Sequence, residues 1–225
     1  MNEDKKVRLR GEWALFYLIF INSFAVLLML YSGSGISAIS SVPYAFNAVF
    51  PFVSLGTWTY LFQAFLILIL FILNRRIHLP YLLSFVVGFF FGIAMDLHEM
   101  WINYLPRGLY FQIIYFCASY LIICFGIALA NRCKMPILPT DLFPREFSQI
   151  ASIRYSKVKI GFDVSCLCIT VFMTGVFLGH IQGLGVGTVL AAFTMGKVIG
   201  WIGDWMDRHV MFVSCMEKDF VKESR

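Results

Sequence analysis

Residues 185–204, GVGTVLAAFTMGKVIGWIGD, decide how the chain is read. At a rise of about 1.5 Å per residue this run is long enough to cross roughly 30 Å of hydrocarbon as one helix. It carries small residues along its length and one lysine, Lys197, well inside. Gly196, Gly200 and Asp204 repeat the spacing of Gly88, Gly92 and Asp96, each exactly matched at an offset of 108 residues. That offset points to an internal repeat in which the closing span copies an earlier one.

The composition outside this stretch agrees. The chain of 225 residues is 60% hydrophobic and only 14% charged, too apolar for a domain whose whole surface is wetted. It reads as a polytopic membrane protein, and its net charge of +5 gives no reason to expect a nucleic-acid partner. Met1 to Arg10 is basic and runs straight into an apolar stretch without a small-residue cleavage pattern, so it reads as a retained cytoplasmic flank. Cys117, Cys124, Cys166 and Cys168 fall inside expected spans, while Cys133 and Cys215 fall on flanks. Neither a disulfide framework nor a metal site is expected, because Cys166 and Cys168, two apart on a helix, point to different faces.

Six spans are expected: residues 14–31, 57–73, 81–97, 108–130, 158–178 and 185–204. Two apolar stretches are too broken by proline to cross. Residues 36–52 contain Pro43 and Pro51, and Ser41 is placed to cap a short re-entrant or interfacial helix with Pro43 in its first turn. Residues 135–156 contain Pro136, Pro139 and Pro144, with a cap at Thr140 or Asp141. This second segment carries Arg145, Glu146 and Arg154, so it is expected to lie along the membrane surface.

Of the 18 basic residues, 16 fall on one side of this arrangement, with Arg107 opposite and Lys197 within the membrane. Both termini are then cytoplasmic. Each half reads as span, short broken helix, span, span. Three crossings is an odd number, so the second half enters upside down relative to the first. The expected fold is all-α: six transmembrane helices as two inverted-topology repeats of three, at about 13–99 and 108–204, within one membrane domain over 13–204. A flank over 1–12 and a tail over 205–225 complete the chain.

The run from Gly185 to Gly196, together with the proline-rich stretch from Met135 to Phe147 and its Asp141, resembles the YitT/YczE-like family of bacterial integral membrane proteins. The resemblance implies a bacterial inner-membrane location and a transporter-like role, and it names no substrate. Family members often carry proline where Lys197 stands, so a role for that lysine belongs to this chain rather than to the family.

Lys197 is the first candidate for function, since a lysine at a helix centre costs about 2.5–3.5 kcal/mol on insertion scales. It has two readings: an ion pair with Asp163 inside the bundle, for which Lys159 competes, or a stem that snorkels to the headgroups. In the functional reading Lys197 faces an anionic solute. Helix N-termini near Ser41 and Asp141 add partial positive charge, and Gly185, Gly187 and Thr188 open amides and a hydroxyl at the start of the last span. Asn22, Gln63 and Gln112 read as interhelical hydrogen-bonding groups, and Asp96, His98 and Glu99 as solvated charge at a span end. Tyrosines and tryptophans near the span ends read as an aromatic belt.

The function expected is transport of a small anionic or zwitterionic solute by alternating access between the repeats, with no cofactor and no metal. The alternative is a non-transporting membrane factor that binds a protein partner or lipid. An enzyme is disfavoured, because no nucleophile–base pair, His-Glu-x-x-His or phosphate loop is found. A transporter should hold a polar cavity near mid-membrane, reached by Lys197, Thr188 or the tips of the short helices.

Overall fold

The computed structural model describes residues 7–75, 79–132 and 136–213. Among them are eight α-helices: α1 (Gly11–Tyr31), α2 (Ala38–Val49), α3 (Leu55–Asn74), α4 (Leu79–Ile102), α5 (Leu109–Ala130), α6 (Pro139–Ile150), α7 (Tyr155–Leu178) and α8 (Val186–His209). Six of them, all but α2 and α6, are long and apolar enough to cross a membrane. The chain is a multi-pass membrane protein. Its order is long, short, long, long, repeated once.

One departure from all-helix is a four-residue ladder in which β1 (Val7–Arg10) pairs in parallel with β2 (Val210–Val213). It ties the entry to α1 to the exit from α8, which runs past Asp204 to His209. Cys133, Cys215 and Met135 lie outside the described residues.

The two short helices differ from expectation at their starts. Ser37, not Ser41, caps α2: its hydroxyl accepts the Ser40 N–H, and its backbone is extended at φ −61°, ψ 149°. Pro43 therefore sits inside the helix rather than in its first turn. Leu138, rather than Thr140 or Asp141, occupies the cap position of α6, with Pro139 at the first helical position, where its missing N–H leaves no bond broken.

The surface placement of α6 is corrected too. Pro139, Leu142 and Pro144 are buried, and Leu142 joins Ile137, Leu18, Ile67, Leu70 and Tyr81 in one apolar cluster. The charges that suggested a surface helix belong to the other face and far end of α6. Arg145 is exposed, while Glu146 accepts a hydrogen bond of 2.8 Å from the Tyr81 hydroxyl, itself bonded by Asn74 at 3.2 Å. The Ser84 hydroxyl holds the Ile137 carbonyl just before the helix. Here α3 and α4 supply the partners: the first half of α6 packs into the protein, while Arg145, Gln149 and Ile150 of its second half are exposed.

Packing runs through α1 and α5, which lie side by side, with α4 on α1 and α8 on α5. The short helices bridge the halves: α2 packs on α7 and less closely on α3, and α6 packs on both α3 and α7. The turn after α1 meets the start of α8, where the Ile36 N–H donates to Gly183 and the Gly187 N–H donates to Ser34. At the other end, Arg132 beyond α5 holds Asp207 of α8 through two bonds of 2.7 and 2.8 Å. Thus the chain enters α2 from one end of the bundle and α6 from the other.

Candidate functional site

A cavity of about 90 Å³ lies at the middle of the bundle. Four long helices, α1, α3, α4 and α5, contribute polar or apolar wall around two helix starts. Ser37, Ile39 and Ser40 come from the start of α2, and Leu138, Thr140 and Asp141 from the start of α6. Asn22 of α1 and Thr59 and Gln63 of α3 add polar groups, while Phe91 of α4 and Ile123 of α5 close the apolar side.

Two amides are seated there by two glycines. Asn22 is 5% exposed and packs against Gly126 of α5, where a β-carbon would overlap its amide. Gln63 is 2% exposed and packs in the same manner against Gly88 of α4. A residue with a side chain at either glycine would push the amide out of its place. The cost of this arrangement is visible, since Asn22 Oδ1 and Gln63 Oε1 are buried without a hydrogen-bond partner among the described residues. Each such group loses on the order of 1–3 kcal/mol of solvation. Orphaned polar atoms of this kind mark places where polar groups are kept for a purpose other than packing.

The two helix starts bring opposite electrostatic character to the same cavity. At α2 the first amides carry the partial positive charge of a helix N-terminus, beside the Ser37 and Ser40 hydroxyls, which bond one another at 2.9 Å. At α6 the third helical residue is Asp141, whose carboxylate has no hydrogen bond or ion pair among the described residues. An unpartnered carboxylate at the cavity wall is stabilised by a cation that arrives there.

Of the solute-site residues expected from the sequence, Asp141 lines the cavity and Lys197, Thr188, Gly185, Gly187, Ser41 and Asp163 lie elsewhere. Ser41 is one turn further along α2, fully buried, donating to the Ala38 carbonyl and sharing a 2.7 Å hydrogen bond with Thr170 of α7. It fastens α2 to α7. Gly185, Gly187 and Thr188 form a close seam with the turn after α1: the Gly187 N–H donates to Ser34 at 2.8 Å, and Thr188 Oγ1 accepts from Gly185 at 3.2 Å. The seam demands Gly35, whose φ of 108° suits glycine and whose missing side chain leaves room for Thr188.

Asp163 is held by Lys159, one turn earlier on α7, at 2.6 Å. The Lys197–Asp163 pair is therefore not formed. Lys197 lies on an exposed face of α8, with no ion pair among the described residues. Asp96, at the end of α4, is not solvated charge alone: it accepts from the Gly56 N–H and the Ser54 hydroxyl, each at 2.8 Å, and caps α3. His98 is buried among Phe20, Phe24 and Trp101, its Nε2 3.1 Å from the Phe20 carbonyl.

Asn22 and Gln63, expected to hydrogen-bond between helices, instead line the cavity with side-chain oxygens that have no partner among the described residues. Their signal was distributed, because each amide needs a glycine on another helix, and only the fold shows which glycine faces which amide.

The chain matches the family described as "Family of unknown function (DUF6198)" over residues 10–204, and it belongs to that family. No curated protein and no solved structure matches it.

Proposed function

We propose that this member of the DUF6198 family is a transporter of a small anionic or zwitterionic solute, which binds in the central cavity and crosses by alternating access. The observation that carries the reading is the convergence of two short-helix starts, one from each half of the chain, on a cavity edged by the unpartnered Asn22 and Gln63 amides. Broken helices that aim their N-termini at a shared mid-membrane site are a recurring way to bind a solute within lipid.

The two halves act as inverted repeats in this proposal. In support, α2 and α6 are both twelve residues long and carry Pro43 and Pro144 at the same position, an offset of 101 residues. The exchanged contacts of α2 with α7 and of α6 with α3 fit the same relation. The distribution of basic residues places the ends of α1 and α8 that carry the ladder on the cytoplasmic side. The resemblance to the YitT/YczE-like proteins adds a bacterial inner-membrane setting.

Counterflow in proteoliposomes loaded with small anions, amines and zwitterions tests the reading. Exchange of at least one class is expected, with loss on Asn22→Leu or Gln63→Leu. A well-folded, reconstituted protein that exchanges none of them overturns transport. The second reading, a membrane factor that binds a protein or lipid, is favoured by one observation: α7 and α8 bury less of themselves than any other long helix. It predicts no exchange with any solute.

A further inference from the structure

We infer that the solute is a small zwitterion, an amino acid of minimal size, held with its carboxylate at the start of α2 and its ammonium at Asp141 on α6. This rests on the reading of the cavity as a solute site and adds the chemical class.

The argument starts from positions related by the offset of 101 residues. Ala38 corresponds to Pro139, Ile39 to Thr140, and Ser40 to Asp141. The first turn of an α-helix leaves its amides without intrahelical partners. In α2 the Ser40 N–H is taken by Ser37, but the Ala38 and Ile39 N–H groups donate to nothing among the described residues. Two free amides and a neighbouring pair of hydroxyls make an anion-accepting end.

In α6 the same end is altered at two places. Pro139 removes one of the two amides, leaving the Thr140 N–H alone, and Asp141 sets a full negative charge where α2 has a serine. A carboxylate outweighs the roughly half-unit positive charge of a helix end. One wall of the cavity thus accepts an anion and the other a cation.

Other charges do not cancel this polarity. Lys159, whose charge acts on Asp141, is committed to Asp163 at 2.6 Å, and Asp141 is the one formal charge among the described residues that line the cavity. A simple anion would be repelled by Asp141, and a simple cation would face the free amides of α2. A molecule with both charges satisfies both walls. The Asn22 and Gln63 amides, each more than nine-tenths buried and without a side-chain partner among the described residues, line the same cavity as further polar groups.

Size narrows the class. At roughly 10–15 Å³ per water, a cavity of about 90 Å³ has space for a solute of up to roughly six to nine heavy atoms. The apolar side, with Phe91 and Ile123, suits one or two methylenes. Glycine and β-alanine meet these terms.

The test uses the full-length protein in proteoliposomes and measures counterflow of labelled glycine and β-alanine beside acetate, propionate and ethylamine. Glycine or β-alanine should exchange at least about tenfold faster than the singly charged compounds, the margin expected when one member of a desolvated charge pair is missing. Asp141→Asn should abolish zwitterion exchange and raise acetate or propionate exchange above that of the unaltered protein. That gain is a result a misfolded variant cannot give. Exchange of acetate, propionate or ethylamine without glycine or β-alanine overturns the zwitterion and leaves transport standing. Equal zwitterion exchange by Asp141→Asn overturns the placement of the ammonium. Absence of exchange for all five, with the wider panel silent as well, overturns both readings together.

Discussion

The pair α3–α4 and the pair α7–α8 share a sequence spacing and differ in what they do with it. On α4, Gly88, Gly92 and Asp96 all meet α3: Gly88 receives the Gln63 amide, Gly92 lies against the Gly56 backbone, and Asp96 caps the helix. On α8, Gly196 and Gly200 have open space where a side chain would go, as do Gly161 and Gly175 on α7. Although a short loop joins α7 to α8, the two do not pack along each other as α3 and α4 do. The same small-residue face is a closed seam in one half and a bare surface in the other. Close backbone approach needs both a glycine and a partner, and the spacing reports only the glycine.

The largest effect that can test this contrast comes from filling the closed seam. A β-carbon at Gly92 would lie 2.7 Å from the Gly56 carbonyl oxygen and 3.2 Å from the Tyr60 β-carbon, so backbone rather than a flexible side-chain tip would have to give. Gly92→Leu should cost about 3 kcal/mol or more, at the upper end of overpacking effects. Thermal unfolding of the detergent-solubilised protein, followed by size-exclusion chromatography, should show loss of the folded peak. A Gly92→Leu protein as stable as the parent would show that α3 and α4 are not held at this distance.

Next in size is the cap at the end of the seam. Asp96→Asn removes the charge that accepts from Ser54 and from the Gly56 N–H at a helix N-terminus, and it should lower stability by about 1 kcal/mol. Its counterpart Asp204 is exposed and accepts no hydrogen bond among the described residues. Asp204→Asn should stay within about 0.5 kcal/mol of the parent in the same thermal assay. Equal losses for the two substitutions would erase the distinction between the halves.

The contrast also explains how much could be read before the structure. The six long helices were legible because each holds a long apolar run with at most two charges, and the observed bounds of α1, α3, α5 and α7 lie within three residues of the expected spans. The cavity was only half legible. Proline and Asp141 marked the start of α6, but Arg145 and Glu146 pulled the reading towards the surface, since a one-dimensional pattern does not reveal that Tyr81 waits on α4 to receive Glu146. Lys197 drew attention because a lysine inside a span is costly. Its exposed position follows from the packing of α8 chiefly on α5, and no property of residues 185–204 says which of its faces is left uncovered.

The smallest expected effect on stability is also the most informative about function. Gly200→Leu fills open space and should leave the thermal midpoint within the shift produced by about 0.5 kcal/mol. Alternating access between inverted repeats asks more of this glycine, because the arrangement of one half in one state is taken up by the other half in the opposite state. If α7 closes on α8 as α3 closes on α4, a leucine at Gly200 blocks that closure while sparing the state in which the face is open. Exchange in proteoliposomes should then fall sharply in a protein of unchanged stability. A Gly200→Leu protein that is both stable and fully active would mean that the shared spacing at an offset of 108 residues does not carry a shared motion, and the cavity would have to open by a movement that leaves α7 and α8 apart.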